Sequence, residues 1–156
     1  MKTASLKEIK TELGRVHPTR LLELCLQMVK YKKENKELLT YLLFDAYDEK
    51  AYLEEVKQMM DELFLEVKKG NAYPAKKTIR KILAAVNKQI KFSGSKQTEV
   101  ELLIYFCKKL RKSGLSLSVN TVLGNLYLRQ VQKIKKSLAT LHEDLQLDYS
   151  EELRLL

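Results

Sequence analysis

Glycine and proline are scarce in this sequence, and they stand where helical patterns begin or end. There are 5 glycines and 2 prolines among 156 residues. Gly70, Gly94 and Gly114 each follow a cationic stretch, where a left-handed residue can end a helix and positive charge suits the helix dipole. Pro18 and Pro74 each precede an apolar periodic run, as expected of a first helical residue. This punctuation predicts a chain of helices with little material for β-turns.

The periodicity of the apolar residues places helices between these breaks. Ser5 and Glu8 have the spacing of a capping box at the start of the first helix. The connections are short, so successive helices are expected to pack as antiparallel neighbours. The predicted helices cover residues 6–14, 18–33, 36–46, 48–69, 74–92, 96–113, 118–142 and 150–155.

The predicted helices differ in how much of their surface is apolar. Segments 21–29, 38–44 and 100–106 are apolar nearly all round, whereas segment 48–69 has one apolar and one acidic face. A helix without a polar face has to be covered on several sides, so these three segments are predicted at the centre of the fold. Gly124 lies inside a helical pattern, and close packing against another helix is its expected role.

The chain is therefore predicted to be all-α and multihelical, with residues 1–156 in a single domain. Two arrangements fit the helix order: a stacked α-α superhelix and an irregular helical bundle. Pro18 and Pro74 each open a set of three helices, which gives two possible halves, 18–69 and 74–142. This layout is loosely similar to HEAT and armadillo-type helical repeats, and the similarity favours the superhelix. It implies no function.

Several protein classes are excluded by composition. No apolar run approaches the ~18 residues that span a bilayer, and the first residues lack the apolar core of a signal peptide. We therefore expect a cytoplasmic protein that does not enter a membrane. Cys25 and Cys107 lie among apolar neighbours, which predicts that both are small buried hydrophobic residues.

Motifs for catalysis, metal binding and nucleotide binding are missing from the sequence. There is no HExxH, CxxC, GxxxxGK[ST] or GxGxxG. The two histidines, His17 and His142, are expected at a helix entrance and a helix exit. Neither a cofactor nor a metal is expected, and a non-catalytic role is favoured. An enzyme without a recognisable motif remains open as a third functional class.

Charge is strongly segregated along the chain. The formal net charge is +9. Residues 1–70 hold 13 basic and 13 acidic side chains, residues 71–140 hold 15 basic and 2 acidic ones, and residues 141–156 hold 1 basic and 5 acidic ones. On the predicted helix 74–92, the cations fall within an arc of roughly 140° and the apolar residues occupy the opposite arc. No acidic residue on this helix can neutralise the cations.

This pattern predicts a surface that binds a polyanion. A row of cations displaces the counterions condensed on nucleic-acid phosphates, which gives affinity without sequence specificity. Lysine dominates, and a lysine acts as a point charge rather than a bidentate reader of bases. Tyr73 precedes the basic helix, where an exposed ring could stack on a base or sugar. The predicted polyanion-binding residues are Lys76, Lys77, Arg80, Lys81, Lys88, Lys91, Lys108, Lys109, Arg111, Lys112, Arg129, Lys133 and Lys136.

Other interpretations of the same charges stay open. The cations can form a solvated face, or complement the acidic face of helix 48–69 or the acidic C-terminal segment. Residues 143–156 could also fold over the basic surface and compete with a ligand. The competing functional class is a protein–protein interaction adaptor, in which grooves between helices accept a partner peptide or helix. The oligomeric state is left open.

Overall fold

The structure is a computed structural model, and it describes residues 2–68 and 72–156. All regular secondary structure in these ranges is helical, so the all-α, multihelical class is confirmed. The elements are α1 (Leu6–Leu13), α2 (Pro18–Tyr31), α3 (Lys33–Thr40), α4 (Glu49–Leu65), α5 (Ala72–Ser93), α6 (Lys96–Lys112), α7 (Val122–Leu138) and α8 (Glu143–Arg154), with a π-helical turn at Tyr41–Asp45.

Most of the predicted helix starts are confirmed. At α1, Ser5 Oγ accepts a hydrogen bond from the Glu8 amide at 3.3 Å, and Glu8 Oε2 accepts one from the Ser5 amide at 2.7 Å, which completes the capping box. Pro18 is the first residue of α2. The prediction for Pro74 is wrong, because α5 begins at Ala72 and Pro74 is its third residue. A proline is tolerated there because the amides of the first helical turn have no partner within the helix.

The helix ends predicted at Gly94 and Gly114 are confirmed, whereas α4 ends at Leu65, earlier than the predicted residue 69. Gly94 and Gly114 have φ of +67° and +75°, the left-handed conformation expected after α5 and α6. This conformation is accessible to glycine because it has no Cβ. Gly70 lies outside the described residues.

The C-terminal part of the chain departs from the prediction of one helix over 118–142. The helix α7 ends at Leu138, and α8 begins at Glu143. His142 caps the start of α8, where its Nδ1 accepts a hydrogen bond from the Asp144 amide at 3.4 Å. His142 therefore stands at a helix entrance and not at an exit. Histidine is not among the residues that usually signal an N-cap, so the sequence pattern missed this boundary.

Glycine is needed at position 124 because the preceding loop packs closely against it, and not because another helix does. A Cβ at Gly124 would lie 2.1 Å from the Ser118 carbonyl oxygen and 2.8 Å from that of Leu117. Thr121 holds this loop against the start of α7, since its Oγ1 donates to the Ser118 carbonyl at 2.8 Å and accepts from the Gly124 amide at 3.0 Å. The predicted packing reason was therefore wrong.

Contacts divide the chain into two compact units, and the boundary along the chain lies between Phe44 and Asp45. This boundary does not coincide with the one expected between the halves 18–69 and 74–142. The single domain and its two halves stay predictions.

In the first unit, α2 and α3 pack against each other, and the Asn35 side chain donates to the Met28 carbonyl at 2.8 Å. The prediction that segments 21–29 and 38–44 are central is wrong. No residue of 21–29 is buried, and Tyr41 is the single buried residue of 38–44. Met28 is 62% exposed and Phe44 73% exposed. Residues 2–44 form short helices that offer too little surface to cover an apolar helix on several sides.

In the second unit, α6 is the central helix, which confirms the prediction for segment 100–106. Its side chains from Val100 to Leu110 include the largest buried group of the unit, and Leu102, Leu103 and Phe106 are fully buried. The helices α4, α5 and α7 pack against it. Hydrogen bonds and ion pairs that join residues 49 to 98 and 61 to 109 show that α4 runs parallel to α6. Helices arranged around a central one form a bundle, the second of the two predicted arrangements.

None of the helices in the described ranges has the length and apolar character needed to cross a bilayer.

Candidate functional site

The basic side chains of α5 lie on its outer face. The apolar residues of the opposite arc are buried, with Ile79 and Val86 at 0% exposure and Ile82 at 1%. A helix that buries one stripe presents the other stripe to solvent. Four of the predicted cations are exposed and one is partly buried, and none of the five forms an ion pair with a carboxylate of the described residues. They are Lys77, Arg80, Lys81 and Lys91, with Lys76 the partly buried one.

A groove runs between α5 and α7. Tyr73, Lys76, Lys77 and Arg80 of α5 line one depression together with Val122, the first residue of α7. An adjoining depression is lined by two residues of α5 and four of α7. They are Arg80, Leu83, Val122, Leu126, Arg129 and Gln130.

The two helices run parallel along the groove, because residue numbers rise together on both walls. Further along, Lys133 Nζ of α7 donates to Asn87 Oδ1 of α5 at 3.0 Å. This bond links the two walls beyond Arg129. Neither α5 nor α7 contains an acidic residue, so the carboxylates of other elements are the available source of neutralising charge.

The floor of the groove is apolar. The two depressions have volumes of about 340 Å³ and 170 Å³. Leu83, Val122 and Leu126 contribute aliphatic surface, and Val122 remains 40% exposed. Tyr73 is 81% exposed at the end of the groove. The site therefore combines cationic walls with an apolar base, which the charge pattern alone did not predict.

Several predicted cations instead form ion pairs with carboxylates of other helices. Lys108 pairs with Glu152 of α8 at 2.5 Å, and Lys109 pairs with Asp61 of α4 at 2.8 Å. Lys133 pairs with Glu99 of α6 at 3.0 Å. An ammonium that is already paired with a carboxylate has less to gain from a phosphate. These three lysines therefore join helices to each other.

Arg111 is engaged in a different way. Its guanidinium donates to the backbone carbonyls of Leu155 and Leu156 at the end of the chain. Together with the Lys108 pair, this contact places the acidic C-terminal helix along α6. Residues 143–156 were predicted to fold over a basic surface. The basic residues that they contact are Lys108 and Arg111 of α6. In the described part of the chain, the lysines and arginines that line the groove form no ion pair or hydrogen bond with α8.

Of the remaining predicted residues, Arg129 lines the groove and the others do not. Arg129 is exposed and its Nε donates to the Asn125 carbonyl of the preceding turn at 3.2 Å, which leaves the rest of the guanidinium facing the groove lining. Lys88 is partly buried and already has an interaction within the fold. Lys112 and Lys136 are exposed at the ends of α6 and α7, outside the groove lining.

Glu99 organises the charges at the centre of the bundle. Its side chain is 7% exposed and accepts from Lys96 at 2.7 Å, Lys133 at 3.0 Å and Ser137 at 2.8 Å. Burial alone would raise the pKa of Glu99, but these three donors outweigh it and lower the pKa to about 2. Glu99 therefore stays ionised and fixes Lys133 beside Asn87.

A second polar cluster joins α4 and α6. Tyr105 Oη donates to Asp61 Oδ1 at 2.7 Å, and Lys109 Nζ lies 5.7 Å from the centre of the Tyr105 ring. Burial, followed by the neighbouring Asp61 carboxylate, raises the pKa of Tyr105 to about 12. Burial would also raise the pKa of Asp61, but the bonds from Lys109 and Tyr105 hold it below its ordinary value. The cluster is an interhelical contact between α4 and α6.

A cavity of about 430 Å³ lies between α4 and α6 and is lined by three carboxylates. All three are already bonded, and Glu54 pairs with Lys57 at 2.7 Å. Glu49 accepts from the hydroxyls of Ser93 and Thr98, and Glu101 accepts from Tyr149. In the described part of the chain, no group of three or more His, Cys, Asp or Glu side chains is arranged to hold a metal ion.

The cysteines differ from each other. Cys107 is buried as predicted, and burial raises the pKa of its thiol to about 12. The prediction for Cys25 is wrong, because this thiol is exposed on α2. The reason is the same as for segment 21–29, whose apolar neighbours are themselves uncovered.

Comparisons with family models, with curated proteins and with solved structures found no match to this chain.

Proposed function

We propose that this protein binds a polyanion, and specifically the phosphate backbone of a nucleic acid, in the groove between α5 and α7. The supporting observation is that four cations line two adjoining depressions. Lys76, Lys77 and Arg80 line one of them. Arg80 and Arg129 line the other. None of the four is paired with a carboxylate of the described residues. Positive groups that line one cleft reinforce each other's potential at its centre.

The proposal is narrower than the sequence-based one. The proposed binding surface does not include four of the predicted cations, because each already has a partner within the fold. They are Lys108, Lys109, Arg111 and Lys133. Lys81 and Lys91 lie on the same helix and contribute to the potential without lining the groove. If four side chains contact phosphates, the logarithm of the association constant should fall with the logarithm of salt concentration at a slope of about −3.6 on duplex DNA.

The test is charge reversal at two exposed groove residues. The double variant Lys77→Glu, Arg80→Glu should weaken binding to heparin and to a labelled duplex by at least about a factor of ten at low salt, and it should flatten the salt dependence. Fluorescence anisotropy measures both quantities. Circular dichroism should be unchanged, because both side chains are exposed.

The matched control is Lys2→Glu, Lys7→Glu. It changes the net charge by the same amount at two exposed residues of the first unit. A general attraction between a basic protein and a polyanion would be weakened equally by both variants. Equal loss of binding in the two variants, or no loss in either, would contradict the groove as the binding site.

A second candidate function is protein–protein interaction through residues 18–44. The supporting observation is that apolar side chains of α2 and of the following π-helical turn are exposed, including Leu22 at 60% and Leu43 at 51%. Contiguous exposed apolar residues are typical of surfaces that another protein covers. On this alternative, the Lys77→Glu, Arg80→Glu variant would keep its partner.

A further inference from the structure

The groove between α5 and α7 has a feature that phosphate binding does not use, which is its apolar base. A duplex presents phosphates on its outside and keeps its bases stacked within, so it can engage the cations without touching the floor of the groove. Val122 nevertheless stays 40% exposed there, and Tyr73 exposes 81% of its surface beside Lys76 and Lys77. Aromatic and aliphatic surface among cations is the combination that accommodates the flat faces of unpaired bases.

The order of aromatic and basic side chains along α5 suits contacts with both the bases and the phosphates of one strand. Tyr73, Lys76, Lys77 and Arg80 are spaced three, four and seven residues from the first, so they share one face of the helix. Tyr73 and Arg80 are about 10 Å apart along the helix axis at 1.5 Å per residue. An unpaired strand can therefore place a base on the tyrosine while its phosphates contact the lysines and the arginine.

The shape of the groove also favours a strand over a helical peptide. Arg80 and Val122 line both depressions, so they stand where the two meet and divide the groove. An amphipathic helix docks its apolar face into a continuous trough. Separate depressions with a cation between them instead suit successive bases separated by a phosphate.

We propose that the groove binds single-stranded nucleic acid, with at least one base stacked on Tyr73 and against Val122, and with phosphates contacted by Lys76, Lys77, Arg80 and Arg129. This inference rests on the proposed function, since it names the form of nucleic acid that the same site takes. It adds that bases, and not only phosphates, contribute to binding. An arginine beside a stacked base adds a cation–π contact of its own.

The experiment compares three probes of equal length: a labelled oligothymidylate, the same strand with abasic sugars, and a duplex. Oligothymidylate should bind more tightly than the abasic strand, because both carry the same phosphates and only one carries bases. Tyr73→Ala should weaken oligothymidylate binding roughly 5- to 150-fold for one lost stacking contact, and leave abasic binding unchanged. Tyr73→Phe should restore binding, because it keeps the ring.

The outcomes separate the two proposals. If all three probes bind equally and Tyr73→Ala changes nothing, the inference is overturned while the polyanion site stands. If none of the probes binds at low salt, both proposals fail. If an acidic polypeptide such as polyglutamate binds and the oligonucleotides do not, the groove serves an acidic protein and the inference is again overturned. Tyr73 is 81% exposed, and circular dichroism checks that both variants fold like the wild type.

Discussion

Replacing Glu99 with glutamine should lower the free energy of unfolding and weaken the dependence of that free energy on pH. The carboxylate is 7% exposed and is held by Lys96, Lys133 and Ser137 at 2.7–3.0 Å. These donors lower its pKa from 4.5 to about 2, against the effect of burial. Each unit of such a shift corresponds to 1.36 kcal/mol, so the ionised form of Glu99 stabilises the folded state by about 3 kcal/mol. Lys96 and Lys133 are half exposed, and solvent screening reduces the expected value to about 2–3 kcal/mol.

The direction of the pH effect follows from the sign of the shift. A carboxyl whose pKa is depressed by folding contributes its full stabilisation above its unfolded pKa of 4.5 and loses it as the pH falls towards about 2. The difference in unfolding free energy between the wild-type protein and Glu99→Gln should therefore be largest near neutral pH. It should shrink steadily between these two pKa values, because the wild-type side chain becomes neutral there as well.

The assay is urea unfolding followed by far-UV circular dichroism at a series of pH values. Glu55→Gln is the matched control, since Glu55 is an exposed carboxylate of α4 with no recorded ion pair in the described part of the chain. Its unfolding free energy should follow that of the wild type within about 0.5 kcal/mol. The reasoning would be refuted by a Glu99→Gln variant whose unfolding free energy runs parallel to that of the wild type across this whole pH range.

Two further predictions concern local packing and reactivity. Gly124→Ala should destabilise the protein by about 2 kcal/mol or more, because the new Cβ would lie 2.1 Å from a backbone oxygen and the clash outweighs the gain of about 1 kcal/mol in helix propensity. Urea unfolding checks this against Asn125→Ala, an exposed neighbour on α7, and equal stability of the two variants would contradict the role of the loop. A thiol reagent should modify Cys25 rapidly in the native protein and Cys107 only after denaturation, because burial raises the pKa of Cys107 to about 12. Equal rates for both thiols in the folded protein would show that the centre of the bundle is open.

Local features of the fold were predictable because they depend on neighbouring residues. The capping box at Ser5 and the left-handed glycines at Gly94 and Gly114 require only the chemistry of one turn. The break between α7 and α8 was missed because His142 supplies the cap through a ring nitrogen. The apolar α2 was misplaced because apolar character predicts a need for cover and does not specify which element provides it.

The candidate site was predictable in part. The stripe on α5 followed from helical periodicity and from the buried arc of Ile79, Ile82 and Val86. Arg129 of α7 was among the predicted residues, but its position beside Arg80 and the contribution of Val122 did not follow, because the parallel arrangement of α5 and α7 depends on how both helices pack in the bundle. Leu83 and Leu126 belong to apolar stripes, and no local signal distinguishes an apolar residue at the edge of a groove from one in the core.

By itself, the sequence determined that the chain is helical, where most helices begin, and that residues 71–140 carry all the excess positive charge. Only the tertiary structure decided which of those cations are available. Lys108 and Glu152 are 44 residues apart and Lys133 and Glu99 are 34 apart, yet each pair is joined by an ion pair. Helix formation depends on bonds between residues three or four apart, whereas the pairing of charges depends on distances that packing alone establishes.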